Sequence, residues 1–188
     1  MTVLAFTVTF HSPFRVGAAY ARDGVAAALD HEDPLPADHL KGVMRAAAVQ
    51  LLGNRDHPAI REVFGSPRAP SPWSWSHAIP ADRWAFTRRH RVKIDQEYHS
   101  AVKDHLVLAE QSWAPSARFT ITRTGLVNPG GLPEATHTAL LRCAAAGVHG
   151  LGAWRRRGLG WVGITPDDAP VTAGDITAIR ALAQEGGR

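Results

Sequence analysis

The chain has 188 residues, of which 45% are hydrophobic and 20% charged, and this composition excludes a disordered or fibrous protein and favours one globular domain over residues 1–188. Its 21 Lys and Arg against 17 Asp and Glu give a net charge of +4, which favours an anionic partner. A single cysteine excludes an internal disulfide and a zinc-finger site. The sequence has neither a signal-peptide pattern nor an apolar run of roughly 18 residues, so we expect a cytoplasmic protein with no membrane partner.

Apolar periodicity predicts the elements of the first half of the chain. Residues 3–11 alternate between two faces and predict a strand, which is followed by a long loop over residues 18–37. Residues 37–53 follow helical spacing and predict a first helix, with Asp38 as its N-cap. Residues 54–72 contain several prolines and are predicted to be irregular, whereas residues 73–80 alternate again and predict a second strand.

The second half repeats this arrangement after an insertion. Residues 81–114 are the least regular and most charged part, and we interpret them as a hairpin that projects from the core. A strand at 117–125, a helix that begins near Pro133, a short strand at 160–165 and a last helix at 172–184 follow. The order is βαββαβ, which predicts an α+β protein with the ferredoxin-like (RRM-like) plan and an insertion between the second and third strands.

The most distinctive stretch is residues 150–162, GLGAWRRRGLGWV, in which four glycines bracket Arg155, Arg156 and Arg157. Glycine permits sharp turns, and the planar guanidinium of arginine fits phosphate oxygens. Three arginines alone would favour a solvated turn, but the glycines between a helix and a strand favour binding of a long polyanion. Trp154 adds a flat surface for base stacking. The stretch fits neither a P-loop nor a dinucleotide-binding loop.

Four segments in this order resemble the RAMP superfamily (repeat-associated mysterious proteins) of CRISPR systems: SPFRVG after the first strand, PLPADHLKGVMRAAA in the first helix, VFG in mid-chain, and the glycine-rich stretch. The chain is most similar to the repeating backbone subunit of type III effector complexes. The resemblance implies crRNA and complementary target RNA as partners, together with other CRISPR effector subunits and further copies of the chain in a filament. It also implies that residues 81–114 form a thumb that intercalates between guide and target.

The resemblance implies that basic residues of the first helix, the thumb and the glycine-rich stretch contact RNA phosphates. The RNA-binding residues expected from the sequence and the resemblance are Arg15, His39, Lys41, Arg45, Arg88, Arg89, Arg91, Lys93, Trp154, Arg155, Arg156 and Arg157. Such contacts position the nucleic acid, while guide pairing reads its sequence.

The resemblance also implies an endoribonuclease that uses Mg²⁺ or Mn²⁺ and one aspartate before the first helix. If Gly24 and Val25 match the Gly-Ile of the family, Ala26 occupies the aspartate position, and the cutting carboxylate is absent either naturally or through an engineered Asp→Ala change. A different register would offer Asp23 or Asp30, although a solvated loop also explains both carboxylates. Whether the chain is an enzyme is therefore open.

Two other functions are compatible with parts of the sequence. A repeat-RNA processing endonuclease of the same superfamily would need a general base, for which His11, His31 and His39 lie in the expected region, and it would act without metal. A small ribosome-like RNA-binding module would explain the basic stretch, but not the order of the LKG segment and the glycine-rich stretch.

Overall fold

An antiparallel sheet forms the centre of the computed structural model. The structure describes residues 1–17, 28–125 and 130–185, and it describes residues 93, 104, 105 and 107 by their backbone alone. The strands of the sheet are β1 (Val3–Phe10), β2 (Trp73–Trp75), β3 (Ile79–Pro80), β6 (Ser116–Arg123) and β7 (Val162–Pro166). Their order across the sheet is β2-β6-β1-β7, with β3 also paired to β6. All of their pairings are antiparallel.

Helices cover one face of this sheet. They are α1 (Ala37–Leu52), α2 (Pro58–Phe64) and α3 (Glu134–Ala146), and a further helix, α4 (Ala173–Glu185), packs on α1 and α3. Alternate residues of β1, from Leu4 to Phe10, are buried against them, and Phe6 stacks on Phe119 of β6 with 5.2 Å between ring centroids. The residues between them are more accessible, as the period of a strand with one covered face requires. The chain is therefore a mixed α+β protein with antiparallel sheets, as predicted from the sequence.

A second, two-stranded sheet is formed by β4 (Ala85–Ile94) and β5 (Ala101–Trp113), which pair with each other. The base of this hairpin is fixed to the chain after β1, because Phe14 and Ser112 exchange two backbone hydrogen bonds of 2.8 Å. Trp84, just before β4, packs edge-on against Phe10 and Phe14. The hairpin is thus joined to the core at the end of β1.

Three local expectations were wrong. The N-cap of α1 is Pro36, and Asp38 lies instead in the first turn, where its charge favours the positive end of the helix. Residues 54–72 are not wholly irregular, because Pro58 begins α2 and the His57 ring caps the Ala59 amide. The strand predicted at 73–80 is broken into β2 and β3. At the break, the Thr120 amide donates to the side-chain hydroxyl of Ser76 and not to a backbone carbonyl of the neighbouring strand.

Within the described residues, no helix combines the length and the apolar character that a membrane-spanning helix requires.

Candidate nucleic-acid interface

Residues 150–161, which we call the arginine turn, connect the chain after α3 to β7. Its two ends pair through an antiparallel bridge between Gly150 and Trp161 and a 2.9 Å hydrogen bond from the Leu151 amide to the Gly160 carbonyl. Between them, Arg155–Arg157 form one 3₁₀ turn in which all three side chains are exposed. A closed backbone loop therefore presents three neighbouring guanidinium groups to solvent.

Two glycines allow close backbone contacts, one with the chain that follows β1 and one within the turn. Gly152 has a φ of 74°, and a Cβ there would lie 2.3 Å from the carbonyl oxygen of Arg15. At Gly160, with a φ of 75°, a Cβ would lie 1.9 Å from the carbonyl oxygen of Leu151. Backbone hydrogen bonds of 2.7 Å join Ala153 to Arg15 and Gly160 to Pro13. The turn is consequently held on a fixed backbone support.

His39 fastens the turn to the first turn of α1. Its Nε2 accepts a 2.9 Å hydrogen bond from the Gly152 amide. Burial of the ring, and then the positive charge of Arg155, lower the pKa of His39. Because Nε2 accepts this hydrogen bond, the ring that makes it is neutral and carries its proton on Nδ1. The structure thus gives His39 a supporting contact inside the interface, while its contact with RNA stays a prediction.

The ring of Trp154 joins the arginine turn to the hairpin. The guanidinium of Arg91 on β4 lies 4.5 Å from the ring centroid, and that of Arg15 lies 4.9 Å from it. Each such contact stabilises by about 0.5–1 kcal/mol at an exposed site. Burial, opposed by the charge of Glu110, lowers the pKa of Arg15. The flat surface predicted for base stacking at Trp154 thus already contacts two cations of the chain.

A buried carboxylate, which the sequence did not indicate, ties the hairpin to residues 28–31. Glu110 on β5 is 2% exposed and accepts from the Leu29 amide at 3.3 Å, His31 Nε2 at 3.2 Å and Arg88 Nε at 3.3 Å. Burial alone would raise the pKa of Glu110, but these hydrogen bonds outweigh it and the pKa is lowered. The His31 ring also stacks on Phe86 of β4 at 4.0 Å.

Lys41 and Arg45, which are four residues apart on one face of α1, line a groove of about 590 Å³. Its polar lining residues are Lys41, Arg45, Ser66, Ser71, Ser74 and Thr124. Lys41 Nζ lies 5.2 Å from the centroid of the Trp75 ring, and the buried Nε of Arg45 has no hydrogen-bond partner among the described residues. Because residues two apart are about 200° apart around a helix, Lys41 and His39 lie on nearly opposite sides of α1. The groove and the arginine turn are therefore two separate cationic surfaces.

The other predicted RNA contacts lie on the hairpin. Arg88 has 62% of its side chain exposed although its Nε is bonded to Glu110, and Arg89 is exposed on β4. The side chain of Lys93 lies outside the described part of the chain. Arg91 of the hairpin, by contrast, contacts the arginine turn through the Trp154 ring.

The candidate cutting positions are only partly described. Asp23 and Ala26 lie outside the described residues. Asp30 Oδ1 accepts from the backbone amides of Glu32 at 2.9 Å and Asp33 at 3.2 Å, so this oxygen closes a local turn. Among residues 1–17, 28–125 and 130–185, no three His, Cys, Asp or Glu side chains lie together as a metal site. Use of Mg²⁺ or Mn²⁺ therefore stays a prediction, and no catalytic step is derived from the described carboxylates.

Trp161 is an aromatic residue of the interface that the sequence did not distinguish from a core tryptophan. Its side chain is 62% exposed, and its ring centroid lies 5.0 Å from that of His11. By contrast, Trp73 and Trp75 are buried. The exposure of Trp161, which is close in sequence to the three arginines, is visible only in the fold.

The comparison with known proteins agrees with the resemblance read from the motifs. The chain belongs to the RAMP superfamily, whose family model matches residues 7–163. Its fold is similar to that of a chain in the cryo-EM structure of the Type III-B Cmr-beta bound to cognate target RNA, with a TM-score of 0.62 and 16% sequence identity. The match covers 87% of this chain but 58% of that chain, so this protein spans less than two thirds of its structural neighbour. No curated protein matches the sequence.

Proposed function

We propose that the chain is an RNA-binding backbone subunit of a type III CRISPR effector complex and that the arginine turn holds phosphates of the crRNA. The observation that carries the proposal is the exposure of Arg155, Arg156 and Arg157 on a turn whose backbone is fixed on both sides. Membership of the RAMP superfamily and a fold similar to a Cmr chain bound to target RNA support it. Complementary target RNA, other effector subunits and further copies of the chain in a filament are the partners that this role requires.

We extend the proposal to the fold plan. The strand order β2-β6-β1-β7, with α1 between β1 and β2 and α3 between β6 and β7, supports the ferredoxin-like (RRM-like) arrangement. The hairpin of β4 and β5 enters between the second and third strands of that plan and is our candidate for the thumb. Its attachment through Trp154 and Glu110 supports a role near the same RNA as the arginine turn.

The chemistry of the interface suits recognition that does not depend on sequence. Guanidinium groups donate paired hydrogen bonds to phosphate oxygens, and contacts of this kind position a nucleic acid without reading its bases. Lys41 and Arg45 offer a second cationic surface on α1. A backbone subunit needs this property, because guide pairing supplies the sequence specificity.

The direct test compares two triple variants that remove the same charge. Binding of a fluorescent single-stranded RNA is measured by anisotropy over a range of salt concentrations. Replacing Arg155, Arg156 and Arg157 by Gln should weaken binding and reduce the slope of log K against log salt by about 2, since each single-strand phosphate contact contributes about 0.7. Replacing the exposed Arg55, Arg61 and Arg180, around α2 and in α4, should leave most of the affinity intact. Equal losses in the two variants, or none in either, would contradict the proposal.

A separate proposal concerns target cleavage by the assembled complex, in which Ala26 occupies the position of the cutting aspartate. A guide-complementary RNA is incubated with Mg²⁺ or Mn²⁺ and either the chain as given or its Ala26→Asp variant. Regularly spaced cuts by the variant alone would support a chain whose cutting carboxylate is absent. Cleavage by the unaltered chain would transfer the role to Asp23 or Asp30. Cleavage by neither would leave an RNA-binding subunit without nuclease activity.

A further inference from the structure

We propose that Trp161, supported by His11, is a stacking site for a nucleobase of the RNA whose phosphates the arginine turn holds. The inference rests on the proposed RNA binding and extends it from the phosphates to the bases. It requires an aromatic face that is accessible, mounted rigidly and close to the cations, and Trp161 meets each condition.

The ring is accessible. Trp161 is 62% exposed, whereas Trp113 is 40% exposed and the ring of Trp154 contacts Arg15 and Arg91. The His11 ring meets Trp161 at an interplanar angle of 49°, so the two rings do not form a parallel stack that would cover an indole face. A tryptophan can bury roughly 150–250 Å² of surface against a partner, which makes this exposed ring a large unused contact area.

The main chain beneath the ring is fixed. The Trp161 carbonyl accepts from the amides of His11 at 2.9 Å and Ser12 at 3.3 Å. The Trp161 amide donates to the hydroxyl of Ser12 at 2.9 Å. Because these bonds hold the residue before any ligand arrives, stacking would order little of the backbone, and a preorganised contact binds more tightly.

Trp161 lies at the base of the turn that carries the three arginines. Trp161 pairs with Gly150 across the base of the arginine turn. The Cδ of Arg155 lies 3.2 Å from the position that a Cβ on Gly150 would occupy, so the stem of this arginine rests against the residue paired with Trp161. A cationic groove with an adjacent aromatic face is the usual arrangement for single-stranded nucleic acid. The positive charge of this neighbourhood favours RNA over an apolar protein surface as the occupant.

The test separates bases from phosphates by using two probes. One is a short oligouridine, and the other is an abasic ribose-phosphate oligomer of the same length. Trp161→Ala should weaken binding of the oligouridine by about 5- to 140-fold, the range found when one stacked base is lost, and should leave binding of the abasic oligomer unchanged. Trp161→Phe keeps a ring and should retain most of the affinity. Trp113→Ala removes another exposed indole, at the base of the hairpin, and should change neither value.

The outcomes distinguish this inference from the proposed function. Loss of binding to both oligomers on replacing Arg155, Arg156 and Arg157 by Gln would support phosphate binding, whatever Trp161 does. Equal weakening of both oligomers by Trp161→Ala would overturn base stacking and show that the side chain only supports the turn. Unchanged RNA binding would also overturn it, and failure of the same variant to join the effector complex would then identify a protein partner for the ring.

Discussion

Substitution of Gly160 by Ala tests whether the arginine turn depends on the close contact at its base. The added Cβ would lie 1.9 Å from the Leu151 carbonyl oxygen, at a φ of 75°. The left-handed conformation costs an Ala residue about 1–2 kcal/mol. Relief of the overlap would also break the Gly160 bonds to Leu151 and Pro13, which contribute about 1 kcal/mol each. We therefore expect a loss of roughly 3–4 kcal/mol in the free energy of unfolding.

Gly158→Ala is the matched control in the same turn. Gly158 has a φ of 80°, but a Cβ there would have nothing within 4 Å, so only the conformational term applies. Urea titration and thermal unfolding should separate the two variants by about 2 kcal/mol, or roughly 4–8 °C in Tm for a chain of this size. Equal losses in both variants would refute the steric argument, because the shared backbone conformation would then account for the whole effect.

Two titratable groups give further predictions that combine a mutation with pH. Glu110→Gln should lower stability by about 2 kcal/mol at neutral pH, because three donors lose a buried carboxylate. Burial raises the pKa of Glu110, but its hydrogen bonds lower it further, so the net pKa is lowered. The difference in stability between wild type and Glu110→Gln should therefore be complete above the ordinary glutamate pKa and disappear as the pH falls through the lowered pKa. A difference that persists unchanged in acidic urea titrations would contradict this. His39→Phe removes the acceptor of the Gly152 amide and should cost about 1 kcal/mol. Burial, and then the charge of Arg155, lower the pKa of His39. The wild type should therefore have the larger free energy of unfolding at a pH above the ordinary histidine pKa, and this advantage should disappear as the pH falls. Urea titrations in which the advantage grows as the pH falls would contradict this prediction.

The regular elements were predictable where local periodicity reports burial. Residues 3–10 alternate along β1 because only one face of the sheet is covered, and this alternation is visible in the sequence. Helix α2 was not predicted, because the prolines of residues 54–72 suggest a loop until Pro58 is recognised as a first-turn residue. The break between β2 and β3 depends on the Ser76 hydroxyl meeting the Thr120 amide from a different strand, and no local pattern encodes that contact.

The interface was predictable in composition but not in its internal contacts. Glycines around three arginines indicate an exposed cationic turn, and the structure shows those side chains exposed. The partners of Trp154, however, come from the chain after β1 and from the hairpin, so they are remote in sequence. The sequence favoured Trp154 over Trp161 as an aromatic surface, because exposure in the fold, rather than residue type, distinguishes the two.

The most direct measurement of the central claim is to cross-link the chain to a photoreactive guide RNA within an assembled effector complex and to identify the attached peptides by mass spectrometry. The account predicts that cross-links concentrate in the arginine turn, residues 150–161, and in the neighbouring chain after β1. Substitution of Arg155, Arg156 and Arg157 by Gln should reduce them. Cross-links that fall mainly in α2 and α4, with none in the arginine turn, would contradict the claim that this turn holds the RNA.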